Sequence, residues 1–291
     1  MWLYIALIAS VFGAVSVVVD KKLVHGVSAT VLTWCTLVFA TPIILLYSLK
    51  EGVPSVGPLF FIGIGGSVAL YTISRVIGFK AMRLTELSAI YPLISLGPLF
   101  TLFVAMLPPL SEKPSLLAMV GVLITLVGTY VLNIGSIGEG FLQPIRVLVR
   151  NRASYLMIIS VVLESVVIIF DKVAITNTTP RSTTFTLLTE NLIVIAALLP
   201  ILIVRNKGFL EQISINRRLF LILGLLNAIA TILAFSAVGG GDVGLVATVL
   251  KMQLLMVLLI SFFVFKDKPK LETVIGSVVM IMGVVLIKIG S

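Results

Sequence analysis

The sequence contains very few of the side chains that bind metals or form disulfides. Of its 291 residues, one is a cysteine (Cys35) and one is a histidine (His25). A single cysteine excludes an internal disulfide, and the scarcity of both residue types excludes the cysteine and histidine groupings that hold zinc or iron. We therefore expect no metal and no organic cofactor.

Charged residues are also scarce. They make up 11% of the chain, whereas 59% is apolar and the mean hydropathy is +1.21. Soluble domains contain about 25% charged and about 45–50% apolar residues. The composition therefore excludes a soluble enzyme and predicts an integral membrane protein whose surroundings are the lipid bilayer. The net charge of +9 consequently does not indicate binding to nucleic acid.

Apolar runs separated by polar breaks predict ten membrane spans. They cover about 2–19, 28–48, 57–79, 87–107, 115–135, 154–173, 183–204, 218–238, 243–265 and 271–289. Each run is long enough to cross the bilayer as a helix, and inside lipid a helix pairs all of its own backbone groups. We expect the first span to be retained, because no basic residue precedes it and no small-residue cleavage pattern follows it.

The two halves of the sequence resemble each other. At an offset of 155, five residues of the first half match five of the second: Glu112, Lys113, Pro114, Gly121 and Gly128 with Asp267, Lys268, Pro269, Gly276 and Gly283. Because each half holds five spans, the second half enters the membrane from the opposite side. Such inverted repeats are used for alternating access to a site near the midplane. The predicted repeats are 1–137 and 154–291, joined by a loop at 138–153.

This pattern resembles the EamA-type members of the drug/metabolite transporter superfamily. The resemblance rests on the acid before the last helix of each half, the paired glycines, and the run 81–89 leading to Tyr91-Pro92 and Gly97-Pro98. It implies an all-α membrane fold of ten helices in two inverted five-helix repeats, and transport of a small metabolite such as an amino acid. The second half departs from the pattern at Ala247-Thr248 and at Lys251, which predicts an asymmetric cavity.

Four ionisable residues lie within predicted spans: Arg75, Glu164, Glu190 and Lys251. Such groups cost at least about 2.5–3.5 kcal/mol each near a helix centre, so they normally face the bundle interior or a wet cavity. We expect Lys251 and Arg75 to bind an anionic group of a substrate. If transport is coupled to protons, Glu190 or Glu164 would carry the proton. Structural ion pairs are the alternative for all four residues.

Helical spacing and aromatic content extend the predicted substrate cavity. Its candidate residues are Trp34, Tyr71, Arg75, Tyr91, Glu164, Glu190, Asn191, Asn227, Thr248 and Lys251. Thr248 and Lys251 share a helix face on which Gln253 does not lie. A packed interhelical tryptophan is the alternative for Trp34, since a buried indole N–H needs a partner.

Two further groups of residues have predicted roles outside the cavity. Asp20 and Asp171, at the ends of spans one and six, are predicted gating or capping residues. Gly121, Gly128, Gly276 and Gly283 form smooth stripes for helix packing. Because the last helix mediates dimerisation in four-helix relatives of the superfamily, the resemblance adds a homodimer contact as an alternative use of these stripes.

The basic residues are distributed unequally between the predicted loops. Fourteen lie in the loops after spans one, three, five, seven and nine, and five lie on the other side. By the positive-inside rule, the first set faces the cytoplasm of a cell membrane protein and both termini lie outside. The sequence contains no arrangement of a nucleophile and a base that would predict an enzyme. The alternatives to a transporter are a non-transporting membrane subunit and a lipid-handling, flippase-like protein.

Overall fold

The computed structural model describes residues 1–24, 26–84, 94, 96–134, 152–206, 208–265 and 271–291. The helices are α1 (Trp2–Val24), α2 (Ala29–Glu51), α3 (Pro58–Leu84), α4 (Gly97–Ala105), α5 (Leu116–Ile134), α6 (Arg152–Thr176), α7 (Thr183–Arg205), α8 (Phe209–Gly240), α9 (Val243–Leu250), α10 (Met252–Phe265) and α11 (Leu271–Gly290). Two short strands, β1 (Ser55–Val56) and β2 (Thr178–Thr179), pair antiparallel.

Helix length and composition agree with a chain that crosses a membrane many times. Among the described residues, eight helical segments of 18 residues or more are apolar enough to span a bilayer, and Leu116–Leu132 is a shorter apolar helix. The fourth predicted span is described at Ile94 and from Leu96 onward. The predicted fold class, an all-α integral membrane protein, is confirmed.

Hydroxyl side chains complete the hydrogen bonding of the helices. Ser28 and Ser182 cap the first turns of α2 and α7 by accepting from the backbone N–H groups of Val31 and Phe185. Within the helices, threonine and serine hydroxyls donate to the carbonyl one turn earlier, as Thr36 does to Leu32 at 2.8 Å. This bonding lets polar side chains lie in an apolar environment without an unpaired donor.

The chain divides into two compact units. Unit 1 comprises Met1–Val68 and Phe170–Gly240. In it, α1 packs against α8, α2 packs against α7 and α8, and α7 also contacts α8. An apolar core that includes Leu23, Cys35 and Phe220 lies between these helices.

Unit 2 comprises Ala69–Ile169 and Gly241–Ser291. Its most extensive contact joins α5 to α11, and α9 packs against α4. The predicted glycine stripes lie in the first of these contacts. A Cβ atom added at Gly121 would lie 2.7 Å from the carbonyl oxygen of Gly283, and one added at Gly128 would lie 2.8 Å from that of Gly276. The two stripes therefore face each other within one chain, and a homodimer would have to use another surface.

Two features of the architecture are not visible in the sequence. Each compact unit draws helices from both halves of the sequence, and α3 and α6 each contribute a segment to both units. The ninth predicted span is two helices, α9 and α10, separated at Lys251. Pro98, which predicts a kink in span four, lies in the first turn of α4, where a missing N–H costs little.

Candidate functional site

A cavity of about 190 Å³ lies in unit 2 and receives side chains from both halves of the sequence. Gly97 and Pro98 line it from the start of α4, Glu164 from α6, and Lys251 and Gln253 from the region where α9 gives way to α10. Glu164 and Lys251 both belong to segments apolar enough to span a membrane. Charged groups therefore meet a cavity at membrane depth.

A second cavity of about 180 Å³ adjoins the first. Arg75 of α3 lines it together with Ser160 and Glu164 of α6. Glu164, Ile94 and Val161 line both cavities. Glu164 therefore faces Lys251 in one cavity and Arg75 in the other.

At the first cavity, two helices begin at equivalent positions of the two repeats. Leu96 precedes α4 and Lys251 precedes α10, and the two residues are 155 positions apart, which is the repeat offset. Their backbone angles are nearly identical, with φ −73° and ψ −15° at Leu96 and φ −69° and ψ −11° at Lys251. Both repeats thus place a helix N-terminus at this site, and these termini carry partial positive charge.

Polar contacts hold the charged side chains in place. Ser74 Oγ donates a hydrogen bond of 3.2 Å to Glu164 Oε1, and Glu164 attracts the ammonium group of Lys251. The Arg75 guanidinium lies over the Tyr71 ring, 5.6 Å from its centroid, within cation–π distance. Glu164 is exposed, whereas Arg75 and Lys251 are half-buried.

This arrangement suits a small anionic or zwitterionic ligand. Two cations and one carboxylate leave the two cavities with a net charge of +1, and the helix termini add to the positive potential. Each cavity is smaller than the roughly 300–1,000 Å³ typical of pockets for drug-sized ligands. The site can therefore take a compact molecule whose anionic group meets Lys251 or Arg75 and whose cationic group, if present, meets Glu164.

A second polar cluster lies in unit 1 and contains two carboxyl groups. Asp171 of α6 and Glu190 of α7 are 7% and 8% exposed, and the two carboxyl groups interact with each other. Ser67 Oγ of α3 donates to Asp171 Oδ1 at 2.5 Å. The structure places Asp171, a predicted gating or capping residue, in this buried cluster, and α6 continues past it to Thr176.

Three other residues of the predicted cavity lie in unit 1. Trp34 donates its indole N–H to the carbonyl oxygen of Ile195 at 3.1 Å and packs edge-on against Phe209, which is the arrangement of a packed interhelical tryptophan. Asn191 is buried on α7. Asn227 is half-buried on α8, and its Oδ1 has no hydrogen-bond partner within the described part of the chain.

The helix interruption also reassigns residues near Lys251. Thr248 is fully buried and donates to the carbonyl oxygen of Gly244, whereas Gln253 lines the cavity. A continuous helix would put Thr248 and Lys251 on one face and Gln253 on another, whereas the structure buries Thr248 and places both Lys251 and Gln253 in the cavity lining. Asp20 is half-buried near the end of α1, and Tyr91 lies outside the described residues.

Sequence reasoning missed the serines that accompany the acidic residues. Ser67 bonds to Asp171 and Ser74 bonds to Glu164. Both the serines on α3 and the acids on α6 are seven residues apart, which places each set on one helix face. This shared spacing is a signal in the sequence, although it is visible only once α3 and α6 are known to be neighbours.

The fold defines a multi-pass membrane protein, and charged groups of its apolar helical segments line two adjoining cavities. The model of the EamA-like transporter family matches residues 1–134 and 151–289. The chain therefore belongs to the EamA-like transporter family, whose members are membrane transporters of small compounds. The predicted resemblance is confirmed.

One solved crystal structure has the same fold, with a TM-score of 0.72. The match covers 100% of this chain and 99% of the other, at 18% sequence identity. At that identity the likeness concerns the fold alone. No curated protein was found to match the chain.

Proposed function

We propose that the protein is a secondary transporter that moves a small, carboxylate-bearing metabolite, such as an amino acid, across the cell membrane by alternating access. The cavity beside the paired helix starts carries this proposal, because Lys251 and Glu164 line it and both belong to segments apolar enough to span a membrane. Interrupted helices in corresponding positions of two repeats are typical of transporter binding sites.

The charges of the cavity support the proposed substrate class. Lys251 and Arg75 supply fixed cations, and charge-assisted hydrogen bonds from such groups to a carboxylate are stronger than neutral ones. Glu164 is exposed and supplies a negative charge to the same site. A zwitterion can therefore satisfy both signs, whereas a purely cationic compound meets a net positive site.

The direct test is flux in proteoliposomes, with a panel of amino acids, mono- and dicarboxylates, nucleobases and organic cations. We expect saturable flux of a carboxylate-bearing compound in the wild type. Lys251→Ala should lose this flux, and Lys251→Arg should keep part of it, because arginine retains the charge. Lys50→Ala removes an exposed lysine at the end of α2 and serves as the matched control.

Two results would contradict the proposal. Flux of organic cations alone, unchanged by Lys251→Ala, would exclude the carboxylate assignment. No flux of any compound by a folded wild type would favour a non-transporting subunit or a lipid-handling protein. A fluorescent-lipid scrambling assay on the same vesicles distinguishes these two.

The same proposal includes an orientation. The unequal distribution of basic residues supports cytoplasmic placement of the loops that follow odd-numbered spans, with both termini outside. A C-terminal reporter that is active only outside the cytoplasm should therefore give signal. Activity of a cytoplasm-only reporter at the same position would reverse the orientation.

A further inference from the structure

The buried carboxyl pair of unit 1 shares no residue with the proposed substrate cavity. Asp171 and Glu190 line neither of the two cavities described above. They come from α6 and α7 and interact with each other, and Ser67 Oγ of α3 donates a hydrogen bond to Asp171 Oδ1. A pair of acids would repel the carboxylate of such a substrate, so it does not supply the groups that bind that carboxylate.

No cation of the described residues neutralises the pair. The interactions on each carboxyl come from the other carboxyl and from Ser67. The nearest basic residue in sequence, Lys172, donates to the carbonyl oxygen of Val238, and Arg181 donates to that of Gly239. Glu51 accepts hydrogen bonds from Ser182 and Thr184.

The other charged residues of the helices packed around α7 lie at the surface. They are Lys50 on α2, Arg205 on α7, and Glu211, Arg217 and Arg218 on α8, all of them exposed. On α1, Lys22 is exposed and Asp20 is half-buried. None of them contributes an interaction to either carboxyl. Within the part of the chain that the structure describes, the pair therefore has to balance its own charge.

A proton is what balances this charge. Two buried carboxyl groups that interact with each other repel when both are ionised, and one proton removes this repulsion. Asp171 has a hydroxyl donor in Ser67, whereas the buried Oε1 of Glu190 has no hydrogen-bond partner in the described part of the chain. An ionised Glu190 would leave this oxygen charged and unsatisfied, so Glu190 is the better position for the proton.

We propose that the Asp171–Glu190 pair is the proton-binding site through which transport is coupled to a proton gradient. This inference rests on the proposed transport function and assigns its coupling ion. The pair holds one proton when buried, with a net charge of −1. Loss of that proton leaves two adjacent carboxylates, which is tolerable only in a conformation that admits water to them. Proton release is thereby tied to the conformational change.

The first test needs no substrate. Infrared spectroscopy of the purified protein at neutral pH should show the carbonyl stretch of a buried protonated carboxylic acid, shifted in heavy water. Glu190→Gln should remove this band, and Glu51→Gln, which alters another hydroxyl-bound acid of unit 1, should leave it. Retention of the band in folded Glu190→Gln, or its absence from the wild type, overturns the assignment of the proton.

The second test measures coupling with a pH-sensitive dye trapped in proteoliposomes. Addition of the carried compound to wild-type vesicles should move protons, and an imposed pH gradient should drive its accumulation. Glu190→Gln and Asp171→Asn should keep exchange of labelled for unlabelled substrate while losing both proton signals. Glu51→Gln should behave as the wild type.

The outcomes separate the two proposals. Exchange without proton movement in the wild type, accumulation driven by sodium alone, or unchanged proton coupling in Glu190→Gln would overturn the proton assignment and leave the transporter proposal intact. A wild type that carries no compound yet shows the infrared band lost in Glu190→Gln would refute transport and coupling, while leaving proton binding at the pair established.

Discussion

The two units of the molecule surround their acidic side chains with different charges and bury them to different extents. In unit 2, Glu164 is exposed to cavities that also contain Lys251 and Arg75. In unit 1, Asp171 and Glu190 are buried with no cation among the described residues to balance them. Each acid of α6 is bound by a serine of α3, so the local hydrogen bonding is alike and the electrostatic surroundings differ.

The difference separates two kinds of charge that a transporter can bind. A carboxyl group that shares its cavities with Lys251 and Arg75 shapes the site for a charged organic ligand. Two carboxyls beside each other hold a proton, because the repulsion between two buried anions is large in a medium of low dielectric constant. We therefore assign substrate binding to the first region and proton binding to the second.

The largest effect should follow from removal of the cavity ammonium group. Lys251→Ala removes charge-assisted hydrogen bonds worth about 1.5–3 kcal/mol, which corresponds to a loss of about 10- to 100-fold in apparent substrate affinity. The concentration dependence of flux measures this loss. A Lys251→Ala protein with wild-type affinity would break the assignment of the substrate to unit 2.

A substitution in the contact between α5 and α11 of unit 2 should have the next largest effect, on stability. Gly128→Val inserts a branched side chain where a Cβ atom alone would lie 2.5 Å from the backbone nitrogen of Met280. Overpacking of this kind costs about 1–3 kcal/mol, so the melting temperature in detergent should fall. Gly65→Ala is the control, because a Cβ atom there meets nothing within 4 Å. Equal melting temperatures for the two variants would contradict the close packing of α5 and α11.

The two serines of α3 offer a matched pair of smaller changes. Ser74→Ala removes a donor to Glu164, and Ser67→Ala removes a donor to Asp171. Each change costs about 1–3 kcal/mol in its own unit. Ser74→Ala should alter the affinity for substrate and leave the pH dependence of transport unchanged. Ser67→Ala should shift the pH dependence of transport and leave the affinity for substrate unchanged. Identical effects of the two variants would erase the distinction between the units.

The smallest effect should come from Trp34. Trp34→Phe removes the hydrogen bond to Ile195 and should lower stability by about 1 kcal/mol, without any change in substrate affinity. Thermal unfolding and flux on the same preparation measure both quantities. A clear loss of affinity would place part of the substrate site in unit 1.

The sequence predicts the helices well because each is a long apolar run bounded by polar residues. It does not predict the interruption before α10, since Val249, Leu250 and Met252 contain no helix-breaking signal. The first repeat does carry one in Gly97-Pro98, and the interruption at Lys251 becomes visible only when the repeat offset is applied. The sequence also does not predict which helix packs against α6, because residue spacing places Glu164 and Asp171 on one face without identifying the neighbouring helix.

The burial of Asp171 was also beyond the sequence. Its position beside Lys172 at the end of an apolar run indicates an interface, yet Lys172 turns to the carbonyl oxygen of Val238 and Asp171 turns to Ser67. Two adjacent charged residues thus have different surroundings, which depend on tertiary contacts. The pairing with Glu190 joins residues 19 positions apart on separate helices and has no local signature.

The most direct measurement compares Glu164→Gln with Glu190→Gln in proteoliposomes that report substrate exchange and proton movement together. The account predicts that Glu164→Gln changes the apparent affinity for substrate and retains substrate-driven proton movement. Glu190→Gln should retain exchange and lose proton movement. Loss of proton movement in Glu164→Gln together with its retention in Glu190→Gln would contradict the account.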